Sequence, residues 1–463
     1  MIEICLAGDK KLIHKYELNG LKIVIDVHSG TVHAVDDISY DILELYDKDF
    51  DEICSSLLHK YDKTAIKEAY EELKQLEKQG QLFSTDGYMD KVLNEERDYH
   101  TKALCLNIAH DCNIRCGYCF ASAGDYHGGR KLMPAEIAKK AIDFLLESSG
   151  NRKRLEVDFF GGEPLLNFDV VKAAVEYGRE IQKEYGKRIG FTITTNATLL
   201  DDAVIGFLNE NMDNVVLSID GRKEVNDNMR RFQDESGTFD EIMPKIKDFV
   251  AKREDKSYYI RGTFTAYNLD FCEDVLFLAE QGFKEISIEP VVAEADENYA
   301  LKEEHIGKIH EQYEELSRRY IEYSEAGKGF RYYHFLMDLD GGPCVYKRVS
   351  SCGAGVEYFA VTPDGELYPC HQFVGKQGYL MGNVFEGIKN KELQMAFSNN
   401  TVYHKEGCKD CWAKFYCSGG CQANAVAFNE DLKKPYDMEC KLQRKRIECA
   451  IMLKVYEHLK HSI

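Results

Sequence analysis

The sequence predicts an α/β fold: a barrel of parallel strands in the middle of the chain, a winged-helix-like unit before it and a cysteine-rich unit after it. Three observations carry this. Short apolar, β-rich runs alternate with helical stretches between residues 103 and 289. A strand pair followed by three helical patterns fills the first 90 residues. Sixteen cysteines in 463 residues is far above the ordinary rate, and most gather in two fields.

In the first unit, residues 1–90, side chains alternate apolar and polar through Leu21-Lys-Ile-Val-Ile-Asp-Val27 and Thr31-Val-His-Ala34. Ser29-Gly30 between them reads as a hairpin turn. Helical patterns follow at 39–46, 50–61 and 65–79, the last rich in good helix formers, with pairs such as Lys67 and Glu71 on its outer face. A winged-helix shape invites a DNA-binding reading. Residues 1–90 carry 10 Lys plus Arg against 19 Asp plus Glu, a net of −9, and the whole chain stands at −20. Such a surface repels phosphate, so nucleic acid is excluded as a partner. Residues 94–101, polar and charged, read as the linker into the barrel.

Strands are expected at 103–109, 155–160, 191–195, 215–219, 258–265 and 285–289, with helices at 134–148, 168–185, 239–250 and 270–281. Strand and helix in turn mean parallel strands with right-handed crossovers. In such sheets ligands bind beyond the carboxyl ends of the strands. Residues 301–341 then bridge to the last unit through a charged amphipathic helix at 303–325. Its stripe of Ile306, Ile309, Tyr313, Leu316 and Tyr320 is read as core.

The first cysteine field follows the first of these strands: Cys112-Asn-Ile-Arg-Cys116-Gly-Tyr-Cys119-Phe120. A 4Fe-4S cluster is ligated by thiolates, so three cysteines on one short loop hold three irons and leave the fourth open to a substrate or cofactor. Zinc is the plain alternative; it wants a fourth Cys or His, and His110 and His127 are in range. Downstream, the strand at 155–160 runs into Gly161-Gly162-Glu163-Pro164, the next ends in Asn196, and Val215-Val-Leu-Ser218-Ile-Asp220 precedes Gly221.

CxxxCxxC with an aromatic before the third cysteine, followed by GGEP after the second strand, closely resembles the radical S-adenosylmethionine (SAM) enzymes. The resemblance implies a partial (β/α)6 barrel over residues 101–300. It also implies a SAM-binding cluster on Cys112, Cys116 and Cys119, whose open iron chelates the methionine group and whose electron yields a 5'-deoxyadenosyl radical. Gly161 and Gly162 let the backbone come close to a ligand, and Glu163 offers a carboxylate to the SAM ammonium. Ser218, and Arg230 twelve residues later, match positions that contact the SAM carboxylate and ribose in SPASM-type members; Arg231 is an equal choice on sequence. Asn196 is a further cofactor candidate, and Tyr118 and Phe120 are expected around cluster and adenine. No general base is assigned: Asp158, Asp220 and Glu289 all sit near expected strand ends.

The second field, within residues 342–450, reads Cys352, twelve residues, Gly365, four residues, Cys370; then Cys408-x2-Cys411-x5-Cys417-x3-Cys421; then Cys440. This resembles the seven-cysteine SPASM domain and implies two auxiliary 4Fe-4S clusters, three clusters in all. Cys408, Cys411, Cys417 and Cys440 would hold the distal one; Cys352, Cys370 and Cys421 the proximal one, with an iron left over. Cys344 resembles the extra ligand of sulfatase-maturing relatives. With it the proximal cluster is an electron conduit; without it the open iron is free for a substrate thiolate. Cys5, Cys54, Cys105, Cys272 and Cys449 are read as small buried hydrophobes.

The first residues lack the basic-then-apolar pattern of a signal peptide, so these cysteines point to metal binding in the cytoplasm rather than to disulfides. No stretch approaches the roughly 20 apolar residues of a membrane span. Ahead of a SPASM radical SAM unit, the winged-helix-like domain resembles the recognition element of ribosomal peptide maturases, which takes a leader peptide as an added strand, here within 18–35. Order and length resemble the maturases of SCIFF peptides, small Cys-rich clostridial precursors. That resemblance implies a thioether (sactipeptide) product joining a Cys sulfur to an α-carbon, commonly of Thr, with a flavodoxin or ferredoxin as electron donor. Formylglycine formation and carbon-carbon crosslinking use the same motifs. An iron-sulfur electron carrier would leave GGEP, Ser218 and Arg230 without purpose.

Overall fold

The computed structural model describes residues 2–5, 12–94, 99–339 and 345–461. Strands Ile2–Cys5, Leu12–Leu18, Leu21–Asp26 and Val32–Val35 form an antiparallel sheet in chain order. From sequence only the turn near Ser29-Gly30 is expected. The structure adds a tight hairpin at Asn19-Gly20, both at positive φ (50° and 78°), where Asn and Gly meet the least steric resistance. Helices Asp37–Glu44, Phe50–Leu57 and Lys63–Lys78 follow. Each begins on an aspartate, Asp36, Asp49 or Asp62, whose carboxylate accepts a first-turn amide. Their inner faces, Ile42, Leu43, Ile53, Ile66 and Leu73, close over Ile13 and Val24 of the sheet.

The six central strands, Ala103–His110, Arg154–Gly161, Arg188–Thr195, Asn214–Ser218, Ser257–Phe264 and Glu285–Pro290, lie side by side in chain order and all run parallel. Alternation decides what each face meets. Leu155, Val157 and Phe159 are buried in the main core, while Glu156, Asp158 and Phe160 between them are more open.

The parallel run is longer than six. Arg331–Tyr332 extends it past the sixth strand, and Tyr358–Val361 pairs in parallel with the first, then turns into antiparallel Glu366–Tyr368. Barrel and cysteine-rich unit thus share one sheet, and Cys370 stands at the end of that hairpin. Helix Ile306–Glu325 buries Ile309, Tyr313 and Leu316 completely, while Ile306 and Tyr320 remain half-buried. It packs on the terminal helix Asp437–His461, which also touches Leu12–Leu18. Among the described residues no helix is long and apolar enough to cross a membrane. Cys54, Cys105, Cys272 and Cys449 are all buried, as read. Part of the expected linker, the Cys5 side chain and Cys344 fall outside the described residues.

Candidate functional site

A cavity of about 290 Å3 lies at the carboxyl ends of the barrel strands, lined by Phe160, Thr194, Ser218, Thr263 and Glu289 from five of them. Cys112, Cys116 and Cys119 all line it, as do Tyr118, Gly162, Asn196 and Arg230. So do His371 and Gln372, the two residues after Cys370, which are not singled out in the sequence although their place beside a candidate ligand was a usable signal.

The cysteine loop is held by a short antiparallel pairing of Ile114–Cys116 with Arg230–Phe232, in which Cys116 faces Arg230. That register brings an Arg230 Nη1 within 3.9 Å of the Cys116 sulfur. It also separates Arg230 from Arg231, which turns away and donates to the Asp227 carbonyl. Arg230 is 9% exposed and pairs with the fully buried Asp220 (Nε to Oδ1, 3.1 Å). Burial favours a neutral guanidinium, but Asp220 outweighs it and raises the Arg230 pKa. Asp220 further accepts the Tyr118 hydroxyl (2.6 Å) and the Thr263 amide (3.0 Å). Asp220 is therefore an anchor with its lone pairs taken, not a free base. Asp158, pushed up to about 6 by burial, does not line the cavity; Glu289 does, ion-paired to Arg261 at 3.0 Å.

The glycines and Glu163 also pack against the chain's own backbone. A Cβ on Gly162 would stand 2.1 Å from the Asp111 carbonyl oxygen and 2.9 Å from the Gly124 Cα, and one on Gly161 2.4 Å from the Ala109 oxygen. The close approach is to the chain's own cysteine loop. Glu163 is fully buried and does not line the cavity; its carboxylate accepts from Leu165 N (3.0 Å), Thr195 Oγ1 (2.8 Å) and Asn196 N (2.7 Å). Those donors favour the charged form, but burial outweighs them and pushes the group up to about 7. Glu163 thus clips the second strand end to the third. There the Asn196 amide donates to the Cys112 sulfur (3.6 Å) and to Asn113 (2.9 Å), and a hydrogen bond to a ligand sulfur is one of the levers on cluster potential. We expect Gly162→Ala, whose new methyl meets backbone on two sides, to cost about 1–3 kcal/mol and to displace Asp111 and Cys112. Iron content and SAM cleavage by the purified variant check it.

Neither histidine closes a zinc site. His110 bonds Asn107 (3.3 Å) and stacks on Tyr126, while His127 is exposed. Among the described residues no three His, Cys, Asp or Glu side chains converge on the position of a single ion. Three thiols around one cavity suit the larger four-iron cluster, which spreads its thiolates more widely and would turn one iron to the cavity. In the cysteine-rich unit burial raises the thiol pKa of Cys370, Cys408 and Cys440, and neighbouring thiols add to the rise. Cys370 feels Cys421 and Cys352; Cys408 feels Cys417 and Cys411; Cys440 feels Cys417 and Cys408.

Residues 106–262 match the Radical SAM superfamily, and residues 352–412 match SPASM, an iron-sulfur cluster-binding domain. A cysteine-type anaerobic sulfatase-maturating enzyme from Clostridium novyi (strain NT) is 25% identical over 70% of this chain and 89% of its own. The structure is similar to anSMEcpe with bound AdoMet and Cp18Cys peptide (TM-score 0.63, 22% identity, 78% of this chain and 99% of that one). It is also similar to Streptococcus suis SuiB bound to precursor peptide SuiA (TM-score 0.52, 15% identity, 95% and 100%). At those identities the two structures speak for the fold alone. By fold, cysteine pattern and matched segments, the chain carries a radical SAM domain followed by a SPASM domain.

Proposed function

We propose that this protein is a peptide maturase that joins a cysteine sulfur to an α-carbon, that of Thr, in a ribosomally made, Cys-rich precursor peptide. The observation that supports it best is the shared cavity: Cys112, Cys116 and Cys119 border the same space as His371 and Gln372, directly after Cys370. A peptide lying there reaches both the radical-forming thiols and the proximal auxiliary set. When bound, SAM and three 4Fe-4S clusters supply hydrogen abstraction and an acceptor for the electron left over, with a flavodoxin or ferredoxin as the outside donor. Phe120, Phe160 and His371 give the peptide an aromatic wall, and Arg261 and Glu289 offer it a donor and an acceptor. Arg230, Ser218 and Asn196 border the space left for SAM. Cys352, Cys370 and Cys421 would hold three irons of the proximal cluster, with Cys344 as its candidate fourth ligand.

The leader would add to the N-terminal sheet at Val32–Val35, whose strand partner among the described residues is Leu21–Asp26 on one side only. SuiB, similar in fold over 95% of this chain, is bound to precursor peptide SuiA, and the same class of substrate is proposed here. Formylglycine formation is the second reading, favoured by the Clostridium novyi relative. Anaerobic incubation with SAM, reductant and the precursor peptide, followed by tandem mass spectrometry, separates them. We expect a loss of two hydrogens mapping between a Cys and a non-Cys residue. An aldehyde in place of Cys or Ser would favour the second reading, and an unchanged peptide would overturn both.

A further inference from the structure

The loop that carries Cys408, Cys411 and Cys417 is braced from the opposite end of the chain. Lys414, between Cys411 and Cys417, is 3% exposed. Its ammonium meets Asp86 Oδ2 at 3.0 Å, His28 Nε2 at 3.2 Å and the Lys409 carbonyl at 3.1 Å. Asp86 is itself fixed, because its Oδ1 accepts the Tyr403 hydroxyl (2.9 Å) and the Tyr88 amide (3.0 Å). A second brace stands beside Cys411. Trp412, 1% exposed, lies flat on the His14 ring with centroids 3.8 Å and planes 1° apart, and His14 bonds Glu448 at 3.0 Å.

The first brace is electrostatic and buried. Without Asp86 the Lys414 ammonium must stay uncompensated or leave for solvent, and leaving takes the turn between two thiols with it. We propose that Asp86 and His14 are positioning residues for the distal cluster: through Lys414 and Trp412 the N-terminal domain holds Cys408, Cys411 and Cys417 in ligating shape. This rests on the reading that those three and Cys440 hold a cluster. The domain that would receive the leader is then also a structural part of the far iron site. None of the four bracing residues lines the cavity of the first loop.

Full-length Asp86→Leu, Asp86→Leu/Lys414→Met and Cys411→Ala, reconstituted in parallel, test it by iron and sulfide per chain and by the EPR spectrum of the reduced protein. Asp86→Leu should lose roughly a third of its iron, one cluster of three, together with one EPR component, and keep SAM cleavage. The double variant, which buries no unpaired charge, should recover most of that iron. If Cys411→Ala keeps full iron, the reading of the distal set itself fails. If Cys411→Ala loses iron while Asp86→Leu matches the parent in iron and EPR, the brace is wrong. A double variant as poor as Asp86→Leu, or loss of all iron from Asp86→Leu, would likewise overturn it.

Discussion

Alanine at Cys112, Cys116 or Cys119 should abolish SAM cleavage, whereas loss of an auxiliary ligand such as Cys370 or Cys408 should leave cleavage intact and stop the product. The asymmetry follows from placement. Among the described residues the cysteines lining the strand-end cavity are those three and no others, so no neighbouring thiol can replace the one removed. The effect should exceed the ~10–100-fold typical of losing a group that merely orients a ligand. Chromatography of 5'-deoxyadenosine measures cleavage, and mass spectrometry of the peptide measures product. Cleavage retained in the triple variant would sink the radical assignment.

Asp220→Leu should be the most destabilising single change in the barrel. It leaves Arg230, 9% exposed, without its carboxylate and strips the acceptor from Tyr118 and the Thr263 amide. Breaking a buried pair by removing one partner costs about 3–5 kcal/mol, because the surviving charge stays buried and uncompensated. The damage should also reach Cys116, which pairs with Arg230 across the short ladder, so SAM binding should weaken as well. A chain of several domains unfolds in steps, so the denaturation midpoint of the barrel transition is the quantity to follow. Asp220→Leu/Arg230→Met should regain much of the stability without regaining SAM affinity. A catalytic base would behave oppositely, losing product at normal stability; an unchanged midpoint in Asp220→Leu would refute the anchoring role.

Several features that the sequence leaves open trace to one cause. Arg230 and Arg231 are equal in sequence, but adjacent residues of a strand point to opposite faces, and the pairing register selects Arg230 for the cavity. Glu163 looks like a ligand carboxylate until Thr195 and Asn196, more than thirty residues on, arrive with donors to occupy it. Tyr358–Val361 is too short to announce itself and is defined by its partner Ala103–His110. The early helices each stop short of the expected end, since terminal turns are set by packing as much as by propensity.

Neighbouring residues alone record the order of parts: three thiols on one loop, seven more in SPASM spacing, strand and helix in turn, and an acidic first 90 residues. These are short-range features, written in neighbouring residues. Long-range packing alone shows that barrel and SPASM domain share one sheet, that Asp220 is an anchor, that the glycines face the cysteine loop, and that Asp86 and His14 meet Lys414 and Trp412 between Cys411 and Cys417. Each depends on register and packing between segments far apart in the chain, where burial makes an ionic or backbone contact strong and no local pattern records which partner will arrive.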